Sequence, residues 1–209
     1  MQEILIDAIH NIRSKNIGPF DYLSIENVAR YLNKEYLNNN FGENIKIEEF
    51  ARKLGFDIKI SDMMYDDCQA ILDINLEAYK ENPVTRSNKV IFLSPDLDQV
   101  YHKFVIASLI GRYIFDYKME KEFVAKWKNS EESFKNPFKV RGDVFATEFL
   151  CQTPSLNMLI NYMITLSHKI SEPLSEFEFS NVLSRITDIP AEYLYPKFAF
   201  LGVKYSNLV

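Results

Sequence analysis

Residues Gln99 to Tyr117 read QVYHKFVIASLIGRYIFDY, and the fold is decided there. Val100, Phe104, Ala107, Ile110 with Gly111, and Ile114 recur at helical spacing. Val105, Leu109 and Phe115 fill the other side, so the helix is apolar nearly all round and is expected to be buried. Gly111 in mid-helix costs about 1 kcal/mol against alanine and calls for a packing or functional reason. Ser108 and Arg112, one turn apart, are a polar pair on this greasy rod.

The chain of 209 residues around it is long enough for one sizeable core. Its apolar (47%) and charged (25%) fractions are those of an ordinary soluble globular protein. A net charge of −5, with no segment joining dense Lys/Arg to aromatics, argues against direct nucleic-acid binding on electrostatic grounds. The N-terminus has no basic region of the signal-peptide kind. The longest apolar runs fall far short of the ~18 residues a membrane span needs. Cys68 and Cys151 make neither a disulfide framework nor a C-x-x-C, and read as buried thiols of a cytoplasmic protein.

Upstream, helices are expected over residues 2–15 and from Ser24, as N-cap, to about Asn38. The run Asn38 to Gly42 is the best boundary. Residues 1–43 therefore read as an N-terminal helical appendage and 44–209 as the main domain. From Ile47 the pattern becomes a helix to Leu54, a Gly55 cap in the left-handed region, and a strand over Asp57–Ser61. Further short strands are expected at Ala70–Asn75, Leu76–Lys80 and Lys89–Leu93. Lys118–Lys139 mixes Lys and Glu without periodicity and reads as a solvated helix plus a loop. Helices follow over Val140–Cys151, Pro154–Lys169, Ser175–Thr187 and Ala191–Leu201. The class is α+β, helix-rich, with a small and mostly antiparallel sheet.

In this order the pieces resemble the ImmA/IrrE family of zincin-like metallo-endopeptidases, which cut helix-turn-helix repressors. Ile47–Ile60 matches the family's opening helix–Gly–strand unit, and Val90-Ile91-Phe92-Leu93 its short following strand. Lys103 to Arg112 (KFVIASLIGR) stands against a segment such as R-F-T-L-A-H-E-L-G-H. Phe145-Ala146-Thr147-Glu148-Phe149-Leu150 and then Pro154 stand against E-x-x-A-N-x-F-A-x-x-L-L-M-P, with two extra residues before the proline. Ile189-Pro190 through Phe198-Ala199-Phe200-Leu201-Gly202 echoes a closing helix pair, so the likeness spans about residues 46–203.

The resemblance places both zinc-binding histidines of H-E-x-x-H at Ser108 and Arg112, the catalytic glutamate at Leu109 and the third ligand at Lys139. A hydroxyl, an aliphatic chain and two cations do not replace two imidazoles and two carboxylates around Zn²⁺. The expectation is a pseudoenzyme with no cofactor, which binds a regulator without cutting it. By family analogy the regulator is a helix-turn-helix repressor of a phage or other mobile element, and the role antirepressor-like. Arg112 and Lys139 are expected to form a small cationic pocket with Asp143 or Glu148, read first as a structural ion pair filling the volume of the metal and second as a groove for an acidic side chain of a partner. Arg112 and Lys139, with Tyr193 and Phe198 on the C-terminal helix, are the candidate partner-binding residues.

Other readings stay open at this point. One is an active zinc peptidase whose ligands are misaligned, although His10, His102 and His168 have no helical-spacing partner among themselves. Nucleophilic roles for Cys151 or Ser108 lack a neighbouring base in the sequence. Another is a DNA-binding regulator, since IEEFARKLGF and the 175–201 pair look somewhat like helix-turn-helix elements. The second helix of that pair offers only Lys197 among Tyr193, Tyr195, Phe198 and Phe200, which suits packing or a protein-facing surface better than base reading.

Overall fold

A computed structural model describes residues 2–37, 46–62, 68–75, 88–130, 135–167 and 175–202. In chain order these form α1 (Gln2–Ser14), α2 (Tyr22–Leu37), α3 (Ile47–Lys53), β1 (Asp57–Ile60), β2 (Ala70–Asn75) and β3 (Lys89–Leu93). Then come α4 (Gln99–Asp116), β4 (Glu122–Trp127), α5 (Pro137–Leu150), α6 (Thr153–Ser167), α7 (Glu176–Thr187) and α8 (Ala191–Phe200). The expected strand at 76–80, the boundary at 38–42 and His168 lie outside the described residues.

The sheet runs in the order β1-β3-β2-β4. β2 is antiparallel to β3 and β4, while β1 lies parallel to β3, so the sheet is mixed but mostly antiparallel. Register pairs Leu72 with both Ile91 and Ala125, and Ala70 with both Leu93 and Trp127. Those side chains are buried and make the face turned to the helices. α4 lies against that face, in contact with β2, β3 and β4.

β4 corrects the reading of 118–139 as a solvated helix plus loop. Along EFVAKW, Ala125 and Trp127 are buried while Glu122, Val124 and Lys126 face solvent. That is the alternation of a half-buried edge strand. A second correction concerns α2. It starts at Tyr22, and the Asp21 carboxylate, not the Ser24 hydroxyl, caps it by accepting from Ser24 N at 3.2 Å.

α4 and α5 form the central helix pair. Asp98 caps α4, and Asn136 caps α5 with Pro137 at its first position. Two glycines permit the close contact. A Cβ at Gly111 would lie 2.9 Å from Phe145 Cβ, and one at Gly142 would lie 2.6 Å from the Ser108 carbonyl oxygen. The N-terminal helices are sealed onto this pair, for Leu5, Ile9, Ile12, Ile25, Ala29 and Leu32 belong to the same hydrophobic core as α4 and α5. Arg13 of α1 donates to the carbonyls of Tyr113 (2.7 Å) and Ile114 (3.1 Å), satisfying orphan acceptors in the last turn of α4. Among the described residues no helix is long and apolar enough to cross a membrane.

Candidate functional site

The contact between α4 and α5 gathers the polar side chains that the sequence singles out. Ser108 points from α4 and donates to Asp143 Oδ1 at 2.6 Å. One turn before Asp143 on the same face of α5, Lys139 donates to Oδ2 at 2.7 Å. Trp127, at the end of β4, donates its indole N–H to Oδ1 at 3.3 Å. The Lys139 ammonium also reaches the Tyr193 hydroxyl at 3.1 Å, and lies 5.3 Å from the centre of each of the Trp127 and Tyr193 rings. Phe104 packs on Tyr193, with ring centres 4.2 Å apart.

The cluster is closed. Ser108 is 0% exposed, Lys139 3%, Asp143 5% and Tyr193 7%. Burial raises the Asp143 carboxyl above its ordinary pKa; Lys139, Ser108 and Trp127 pull it back down. The Tyr193 phenol is pushed up, chiefly by burial and next by the negative field of Asp143. A general base must come within hydrogen-bond reach of a substrate proton. Asp143 is held instead by its internal donors, and Ser108 spends its own proton on Asp143.

The other singled-out positions go elsewhere. Leu109 is 0% exposed and part of the hydrophobic core. Arg112 turns away from Lys139: its Nε donates to Asp116 Oδ2 at 3.2 Å and its Nη1 to the Lys126 carbonyl at 3.2 Å. Asp116 is shared with Arg141, which also donates to the Ile17 carbonyl at 2.7 Å. The expected common pocket of Arg112 and Lys139 thus resolves into two separate ion pairs. Phe198 is 1% exposed. Lys139 and Tyr193 are buried as well, so these three side chains are packed within the chain. Arg112 alone of the four candidate partner-binding residues keeps part of its side chain at the surface.

Glu148 anchors a second buried network at the far end of α5. It accepts from Arg30 Nε at 2.6 Å, Lys197 Nζ at 2.7 Å, Thr153 N at 3.0 Å and Thr153 Oγ1 at 2.6 Å. Lys197 further pairs with Glu26, so one carboxylate ties α2, α5, α6 and α8 together. This internal use removes Lys197 as a phosphate contact for the helix-turn-helix-like segment.

Sequence reasoning named Asp143 only as a possible partner, and missed Trp127 and Gly142 altogether. The i,i+4 relation of Lys139 to Asp143 was the available signal. Nothing local tells that the single tryptophan caps the same carboxylate, since that contact depends on β4 reaching α5. Among the described residues no three His, Cys, Asp or Glu side chains form a group able to hold a metal ion. His102 is engaged with the Leu97 carbonyl at 2.9 Å. A half-open groove of about 550 Å³ lies apart from the cluster, between α1 and α2, lined in part by Asn11, Lys15, Asp21, Asn27 and Tyr31. No family model matches the chain, and no curated protein matches it either.

Proposed function

We propose that the chain is a catalytically silent relative of the ImmA/IrrE peptidases, acting in the cytoplasm by holding a regulatory protein without cutting it. A helix-turn-helix repressor of a phage or other mobile element is the partner that the resemblance implies, and the role is antirepressor-like. One observation carries the reading. Positions 108 and 139, assigned to metal ligands by the resemblance, meet in space on one carboxylate, Asp143. Serine, lysine, tryptophan and tyrosine occupy the volume around it, which supports the reading that a salt bridge replaces the zinc ion, although Arg112, the remaining assigned ligand position, turns to Asp116. Paired buried charges of this kind supply shape and connection and no open coordination position.

Binding then falls to the exterior. In the resembling family a substrate strand adds to the sheet edge beside the zinc helix. Here β4 is an edge strand in contact with α4, with Val124 52% exposed. The test is affinity capture from cells of the native source with the tagged chain, followed by incubation of the captured protein with the chain and added zinc. Recovery of a full-length DNA-binding regulator that stays intact is the expected result. Cleavage of that regulator at a discrete site, or capture of no regulator, contradicts the proposal.

A further inference from the structure

Of the eight described helices, α6 alone contains no Asp, Glu, Lys, Arg or His, in a chain that is 25% charged. It is not an interior helix. Leu156, Ile160 and Met163 face the core, and the opposite side is open, with Met158 58%, Tyr162 63% and Leu166 38% exposed. These three residues follow one another at intervals of four and form a single ridge along the helix. Asn157, Asn161 and Thr165 run beside it as an exposed polar, uncharged border. Asn161 donates to Asn157 across one turn at 3.4 Å, and Thr165 donates to the Asn161 carbonyl at 2.8 Å.

We propose that this face is a self-association surface, on which α6 of a second copy packs about a two-fold axis passing beside Tyr162. The inference is independent of the function proposed above. The pattern of the ridge picks the occupant. A two-fold contact sets a surface against itself, so it must tolerate its own charges and place unlike positions in register. α6 brings no charge to repel its copy. Read from either end, its ridge runs apolar, tyrosine, apolar, so an antiparallel copy sets Met158 against Leu166 of the partner subunit and Tyr162 against its own equivalent. A ridge spaced by fours interlocks with an identical one at a crossing angle of about −50°. Tyr162 then stacks at the centre and the amides form a polar rim, which is the usual anatomy of a protein interface.

The exposed apolar side chains of α7 and α1 stand among charges instead. On α7, Phe177 and Ile186 sit beside exposed Glu176, Glu178 and Arg185, and on α1 Ile4 stands next to Glu3. A lipid surface is the poorer fit for α6, because interfacial helices carry Lys and Arg along the polar face and α6 has none.

Sedimentation equilibrium of the full chain, from micromolar to submillimolar concentration, tests the proposal. The wild-type chain is expected to show a monomer–dimer equilibrium. Tyr162→Glu, which sets two carboxylates against each other on the axis, should weaken association by about tenfold or more while the melting temperature stays the same. Tyr162→Phe should keep the dimer. Under mild oxidation Tyr162→Cys should form a covalent dimer faster than Ile4→Cys, and the native Cys68 and Cys151 are buried and do not compete. A wild-type mass of one chain throughout the range overturns the proposal, even if α6 captures some other protein or a vesicle. So does a Tyr162→Glu chain that dimerises as tightly as the wild type.

Discussion

The Ser108 hydroxyl donates to Asp143 at 2.6 Å across the contact of α4 and α5, and Gly142, with Gly111, lets the two helices come so near. A methyl group at 142 would sit 2.6 Å from the Ser108 carbonyl oxygen, which is fixed backbone. The polar cluster and the helix contact are therefore one feature, and substitutions in either should disturb both.

Glycine at 111 meets the Cβ of Phe145, and glycine at 142 meets backbone. Gly111→Leu should overpack the core by about 1–3 kcal/mol or more. Gly142→Ala should cost at least as much as Gly111→Ala, because the approach at 142 is closer, 2.6 Å to a helix carbonyl against 2.9 Å to the Phe145 Cβ. Urea denaturation of the three variants measures this. Unchanged midpoints mean that α4 and α5 do not touch as described.

Lys139 and Asp143 form a buried pair with additional donors on the carboxylate. Lys139→Met removes the cation and leaves the carboxylate buried, a change that costs about 3–5 kcal/mol when one partner of such a pair is lost. Lys139→Met combined with Asp143→Leu removes both charges and should cost clearly less than the two single changes added together. Equilibrium unfolding of the four members of this cycle gives the coupling. Strict additivity contradicts a direct pair.

The raised Asp143 pKa fixes a sign. Between the ordinary carboxyl pKa, about 3.9, and its higher folded value, the native state holds a proton that the unfolded chain has released. Asp143 therefore contributes most at the acid end, and that contribution is lost as pH rises through the window. Asparagine mimics the protonated form. The stability cost of Asp143→Asn should accordingly shrink from pH 4 toward neutrality, as read from urea midpoints at several pH values. A cost that grows over that range shows that the pKa is depressed, and that the ion pair outweighs burial.

Burial, with the negative charge of Glu148 adding to it, pushes the Cys151 thiol up to about 12. Cys68 is buried as well. Both should resist iodoacetamide at mildly alkaline pH in the native chain and react on unfolding, since the thiolate is the nucleophile. Mass spectrometry counts the adducts. Rapid native alkylation at Cys151 contradicts the described packing.

Elements with an unambiguous local signal were legible in the sequence. α4 announces itself by its apolar period, β3 by the run KVIFL between polar turns, and the end of α3 by Gly55, whose φ of 85° needs the freedom of glycine. β4 was not legible, because Lys and Glu on its outer face and flanks conceal a two-residue alternation only six residues long. In α2 the cap is Asp21, three residues before the expected Ser24, and only the helix start decides between them. Ser108 and Lys139 were legible as positions of interest. Their meeting through Asp143 and the closure by Trp127 and Tyr193 depend on how α4, α5, β4 and α8 pack, which no spacing along one element encodes. The turn of Arg112 toward Asp116 is an i,i+4 pair within α4, a signal that was available in the sequence.

The central claim is that a salt-bridged cluster stands where the resembling peptidases hold zinc. Elemental analysis of chain purified without chelators, together with its melting curve in a strong chelator, tests it most directly. The account predicts well under one zinc per chain and a melting temperature unchanged by the chelator, because no folding free energy is tied to an ion. One zinc per chain that survives dialysis, with a melting temperature that falls when it is stripped, would contradict it.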